Sequence, residues 1–238
     1  MKSYADSFLE LIYPEKNTCF ICETYDEEIG DKYICSDCEK RIKKIVPPVC
    51  SKCSKPIEYI SSTKFCQECC DVERHFEMSK SPFVYEGLIK RAIYSFKYYN
   101  KAYFYKFLGN CLVTYMKNIN YTNFDFIVSV PLHSSKMRKR GYNQSELLAR
   151  HIAKSLSIPY VDALKRTKKT LKQSEQSKEE RKKNLLDAFA IKKSAEKVIN
   201  SSVLLVDDIY TTGSTVDECS KVLKNYGANK IYVITIAR

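Results

Sequence analysis

Residues 203–215 read VLLVDDIYTTGST, and this stretch decides the fold. Val203 to Val206 form an unbroken aliphatic run, the pattern of a strand buried on both faces, as in parallel sheets covered by helices. The run ends in two carboxylates, Asp207 and Asp208, and a Thr/Gly/Ser loop leads into a helical pattern over residues 215–226, with Gly227 placed to cap it. In open parallel sheets ligands lie beyond the carboxyl ends of the strands. Thr211, Thr212, Gly213, Ser214 and Thr215 offer hydroxyls and backbone N–H groups there, and the following helix N-terminus favours a phosphate. Adjacent carboxylates are acceptors that suit a sugar diol. The plain structural alternative is an Asp-rich turn with a Thr or Ser N-cap. Neither G-x-x-x-x-G-K-[ST] nor G-x-G-x-x-G occurs in the chain.

Outward from this stretch, strands alternate with helices. Residues 230–236 form a second apolar strand, and residues 124–130 a third, stopped by Pro131. Residues 142–156 are helical, and residues 159–164 read as a short strand. Residues 78–87 suggest a strand or hairpin ending at Gly87. Residues 88–117 read as helix, with Ile89, Ile93, Phe96, Tyr103, Phe107, Leu108 and Leu112 near helical period and a break at Asn100. An α/β fold is expected, a parallel sheet with helices on both faces.

Toward the N-terminus the chain changes character. Nine of its eleven cysteines precede residue 71, and eight of them form C-x-x-C knuckles: Cys19/Cys22, Cys35/Cys38, Cys50/Cys53 and Cys66/Cys69. Twelve residues separate the first two knuckles and twelve the last two. Paired knuckles at such spacing supply four thiolates to one tetrahedral zinc, so two structural zinc ions are expected. Sequential pairing is favoured over a cross-braced one, and Cys70 leaves the last ligand open by one residue. A disulfide framework would need an oxidising compartment, and a thioredoxin-like redox pair would not need four evenly spaced knuckles. With four thiolates no position stays open for substrate, so these zincs carry no catalysis. Residues 1–75 hold few large apolar side chains, so metal binding supplies folding free energy there. Cys111 and Cys219 sit in helical patterns as small buried residues.

Of the 238 residues, 40 are Lys or Arg and 28 are Asp or Glu, a formal net charge of +12 that favours polyanionic partners, nucleic acid or a phosphorylated small molecule. Thirteen of the 40 basic residues fall within 136–140 and 165–183. Solvated lysine-rich faces are the ordinary alternative. No apolar run is long enough to span a membrane, and the amphipathic start, with Phe8, Leu9, Ile12 and Tyr13, lacks the features of an export signal, so a cytoplasmic location is expected.

The string at 203–215 resembles the phosphoribosyl pyrophosphate motif of type I phosphoribosyltransferases. That resemblance implies Asp207 and Asp208 as ribose contacts and catalytic residues, residues 211–215 as the 5-phosphate cradle, and magnesium bound with the phosphoribosyl pyrophosphate. The segment VPLHSSKMRKRGYNQSELLAR (130–150) is similar to the signature of the ComF family, with Pro131, Leu132, His133, Arg140, Gly141, Asn143 and Gln144 in the matching places. The resemblance puts this loop against the pyrophosphate, with His133, Lys136, Arg138, Lys139 and Arg140 beside it. For His133 a purely structural role stands equally open. A third similarity, LKRTKKTLKQSEQSKEERKKNLLDAF (164–189), sets Arg166, Thr170, Gln173, Arg181, Asn184, Ala188 and Phe189 in register. It implies a basic hood over about residues 164–184 that closes over the phosphates. Glu175-Gln176 departs from the family there. Lys97-Tyr98 fits the family's helix-borne Lys-Tyr.

The resemblance implies a type I phosphoribosyltransferase-like domain over 76–238, preceded by a double zinc ribbon over 1–75. It also implies a role in natural competence and DNA uptake, with single-stranded DNA and a competence helicase or DNA-processing protein as partners. Two functions stay open: a transferase whose acceptor is not readable, and a binding protein that senses phosphoribosyl pyrophosphate or single-stranded DNA. Tyr98, Tyr99, Tyr103 and Tyr105 offer stacking surfaces for the latter, although tyrosines at helical spacing ordinarily serve a core.

Overall fold

A computed structural model describes residues 17–57, 64–167 and 188–238. Its centre is a four-stranded, all-parallel sheet in the order β1-β6-β5-β2: β1 Met78–Lys80, β2 Phe126–Ser129, β5 Ser202–Ile209 and β6 Lys230–Ala237. A separate antiparallel pair joins β3 (Leu164–Arg166) to β4 (Phe189–Ile191). Among the described residues the helices are α1 Ser36–Lys40, α2 Gln67–Cys70, α3 Gly87–Tyr98, α4 Phe104–Asn118, α5 Ser134–Arg140, α6 Gln144–Leu156 and α7 Ser214–Asn225, with 3-10 turns at Gly30–Lys32 and Lys193–Val198.

Val203 to Val206 are wholly buried and divide alternately between two cores. Leu204 and Val206 pack with α3, α4 and α6 on one face, and Val203 and Leu205 pack with α7 on the other. Each such side chain contributes about 2 kcal/mol through apolar burial. The sheet is therefore covered on both sides, as the aliphatic run requires. The ribbons part in the same way: Cys19, Phe20 and Cys38 join the α4 core, and Cys50, Cys53 and Cys66 join the α7 core.

The expected break at Asn100 is present. Its backbone is left-handed, with φ +54°, in the link between α3 and α4. Residues 159–164 differ from expectation. Tyr160 alone bridges Ile127 in parallel, because the Pro159 nitrogen has no N–H to extend the ladder on one side and the Ala163 N–H turns to the Val161 carbonyl on the other; Leu164 belongs instead to the antiparallel β3. Among the described residues no helix is long and apolar enough to cross a membrane.

Candidate functional site

The register Ser129↔Val206 sets the ends of β2 and β5 side by side, so the loops that leave them face one cavity of about 440 Å³. Asp207, Asp208, Thr211, Gly213 and Thr215 line it from β5 and its loop; Lys136, Lys139 and Arg140 line it from α5, and Arg166 from the base of the β3–β4 hairpin.

The two carboxylates are held differently. Asp208 Oδ1 accepts a hydrogen bond from Lys97 Nζ at 2.8 Å, and Asp207 Oδ1 accepts one from the Ser145 hydroxyl at 2.8 Å. Burial and then the charge of Asp208 push the Asp207 carboxyl up to about 7, against the pull of Ser145 and Lys97. Burial alone would lower Lys97, but the charge and hydrogen bond of Asp208 together with the charges of Asp207 and Tyr98 outweigh it, and the ammonium is held above its usual range. Lys97 is aimed by its neighbour: the Phe96 carbonyl accepts from Tyr142 Oη at 2.6 Å and from Gln144 Nε2 at 3.2 Å. Asn143 caps α6, its side chain accepting from the Ser145 N–H at 3.2 Å and donating to the Val130 carbonyl at 3.0 Å.

Opposite the acids stand the cations. Burial, and then Arg166, Arg140 and Lys97, lower the pKa of Lys136, so positive charge is crowded into partly desolvated space. An anion would relieve that repulsion. At the third wall, α7 begins at Gly213, whose φ of +77° is left-handed and whose missing Cβ would lie 2.2 Å from Tyr210 Oη, so only glycine fits. Gly213 brings no side chain to cap this helix start, and the Ser214 N–H reaches only the Thr212 hydroxyl, at 3.4 Å. Its first N–H groups are disposed for an anionic ligand. The donor set of the cavity consists of oxygens with no His or Cys lining, which fits a hard cation such as magnesium.

Thr212, Ser214, His133 and Arg138 do not line the cavity. Thr212 Oγ1 and Ser214 Oγ pair with each other at 2.9 Å, and His133 Nδ1 caps α5 by accepting from the Ser135 N–H at 3.2 Å. Gln173 and Arg181, with Thr170 and Asn184, lie outside the described residues. Ser145 and Tyr210 were not singled out in the sequence; Ser145 follows Asn143-Gln144 directly, and the nearness of the signature was the signal that could have found it.

Near the N-terminus, the thiols of Cys19, Cys22, Cys35 and Cys38, and those of Cys50, Cys53, Cys66 and Cys69, all lie within 4.8 Å of one another in their groups. Cys22 and Cys35 are 3.7 Å apart at sulfur and Cys53 and Cys66 3.6 Å. Tetrahedral zinc with Zn–S of about 2.3 Å sets thiolates about 3.8 Å apart, so both groups fit it. Pairing is sequential, and Cys69 rather than Cys70 completes the second group.

Residues 143–238 match the Phosphoribosyl transferase domain family and residues 8–70 the Double zinc ribbon domain family. The chain is 31% identical over 215 residues to Competence protein F of Haemophilus influenzae, covering 88% of this chain and 92% of that protein. The chain belongs to the ComF family. This ComF-family chain is also similar to DNA utilization protein YhgH of Escherichia coli, 28% identical over 92% of this chain and 96% of that one. Among solved structures it is similar to adenine phosphoribosyltransferase from Thermoanaerobacter pseudethanolicus, 16% identical over 59% of this chain and 83% of that chain, with a TM-score of 0.38.

Proposed function

We propose that this ComF-family protein binds phosphoribosyl pyrophosphate with magnesium at the carboxyl end of its sheet, and that it acts in the cytoplasm in the handling of incoming single-stranded DNA. One observation carries the first part: an acid pair, a glycine-opened helix N-terminus and a cluster of cations, Lys136, Arg140 and Arg166 among them half-buried, line a single cavity. Residues 211–215 would take the 5-phosphate, Asp207 and Asp208 the ribose diol, and Lys136, Arg140 and Arg166 the pyrophosphate, with Arg138 and His133 at its margin. Magnesium, when bound, offsets the pyrophosphate charge, and the two aspartates are the residues to hold it. If the protein turns over, a nitrogenous acceptor displaces pyrophosphate at ribose C1, and these side chains stabilise the leaving charge. Residues 76–238 form this donor-binding part and residues 1–75 the zinc module.

The DNA reading draws on the names of the relatives and on one surface. Tyr94, Tyr98 and Tyr99 are exposed, with the Tyr94 ring against both of the others, and the Arg140 guanidinium lies 5.3 Å from the Tyr98 ring centroid beside the cavity that both residues line. Tyr103 and Tyr105 instead pack against the core. Aromatic faces beside cations suit stacked bases.

Thermal unfolding with and without ligand tests the donor reading. Magnesium and phosphoribosyl pyrophosphate at a hundred times Kd stabilise a one-site protein by about 2.7 kcal/mol. An unchanged Tm at millimolar ligand would rule the reading out.

A further inference from the structure

Between the second ribbon and β1, Arg74 turns back to the phosphate loop, with its side chain 9% exposed. Its guanidinium donates to the Thr212 carbonyl at 3.0 Å and lies 3.9 Å from Asp217 in the first turn of α7. Next to it, the His75 N–H donates to Asp217 Oδ1 at 2.7 Å. A second link runs through Arg238, which donates to the carbonyl of Cys53 at 2.7 Å, faces Glu68 of α2 at 3.5 Å, and lies 4.6 Å from the Tyr210 ring centroid. Tyr210 in turn fills the space beneath Gly213, and Phe76 meets its ring edge-on at 6.3 Å. The underside of the loop therefore rests on the second ribbon and the segment leaving it. The first ribbon touches α4 instead, through Phe20 against Phe104 and through Asn110 Nδ2 donating to the Asp31 carbonyl at 2.8 Å.

From these contacts we infer that the second zinc ribbon sets the conformation of the phosphate loop, with Arg74 as the positioning residue and Arg238 as its support through Tyr210. A carbonyl drawn down by a buried guanidinium fixes the peptide plane at 212–213, and with it the direction of the N–H groups that open α7. The second zinc thus tunes the affinity of a site none of its ligands touches, whereas the described contacts of the first ribbon lie on the α4 side of the sheet. The consequence for ligand affinity rests on the donor reading above; the loop geometry does not.

Hydrogen exchange of the amides of residues 211–216 tests the inference in the zinc-loaded, full-length protein, alongside calorimetric titration of phosphoribosyl pyrophosphate with magnesium. Arg74→Ala is expected to retain both zincs, to speed exchange in this loop about tenfold and to weaken donor binding about tenfold, the size of one lost charged hydrogen bond. Arg74→Lys is expected to restore most of both effects, and Asn110→Ala to change neither. Unchanged loop exchange in Arg74→Ala overturns the inference. If the wild type shows no binding, the donor reading falls while the exchange data still decide the positioning role. Should Arg74→Ala fail to fold, Asp217→Asn, which keeps an acceptor for the His75 N–H but loses the charge facing Arg74, is expected to speed loop exchange in the same direction, and its failure to do so overturns the inference equally.

Discussion

Lys97 Nζ and Asp208 Oδ1 meet at 2.8 Å across 111 residues of sequence, and both side chains are largely withdrawn from water. The pair ties the end of α3 to the end of β5, so the floor of the cavity is a packed ionic contact. Removing either partner leaves the other charge buried and uncompensated. Lys97→Met is expected to cost about 3 kcal/mol of stability in urea titration. A loss below about 0.5 kcal/mol would place the pair with weak surface contacts instead.

Asp207 carries a pH dependence whose sign is fixed by its raised pKa. The folded protein holds a proton there that the unfolded chain has released, so this group's contribution to stability falls as pH rises from about 4, where an unfolded aspartate titrates. The fall ends near 7, where the folded carboxyl has also ionised, and the curve is flat above it. Asp207→Asn abolishes this slope. Urea midpoints at pH 5 and pH 8 are expected to fall with pH more steeply in the wild type than in the variant, and parallel pH profiles would refute the buried-carboxyl account.

Gly213 tolerates no side chain, both for its φ of +77° and for the Tyr210 hydroxyl beneath it. Gly213→Ala is expected to destabilise by at least about 2 kcal/mol, since a left-handed residue alone costs about 1–2 kcal/mol. Tyr210 Oη is buried with no hydrogen-bond partner among the described residues, so Tyr210→Phe is expected to be neutral or to stabilise by about 1 kcal/mol in the same assay.

Zinc content follows from the two thiolate groups. Metal analysis of the purified protein is expected to give two zincs per chain, one for each group. Chelation is expected to unfold the ribbons and lower Tm, because ligand binding free energy is folding free energy at such sites. Far fewer than two zincs, with Tm unmoved by chelator, would contradict the ribbon assignment.

Much of this was legible in local sequence, because the signals are local. The aliphatic run at 203–206 fixes a doubly covered strand, and evenly spaced C-x-x-C knuckles fix the thiolate groups. The loop at 211–215 could be placed from its neighbours alone. By contrast, the Ser145 contact to Asp207 and the Arg74 contact to Thr212 join residues 62 and 138 apart, and no periodicity marks a partner at such range. The short helix α5 escaped notice because SSKMRKR carries one apolar residue and hence no amphipathic stripe. The β3–β4 pair was missed for a related reason: three-residue strands are too short to show alternation.

Isothermal titration of phosphoribosyl pyrophosphate with magnesium, into the wild type and into Asp207→Asn/Asp208→Asn, addresses the donor site most directly. Micromolar binding in the wild type, lost in a variant that still holds two zincs and unfolds cooperatively, is the expected result. Equal affinity in both proteins, or no heat in either, would contradict it.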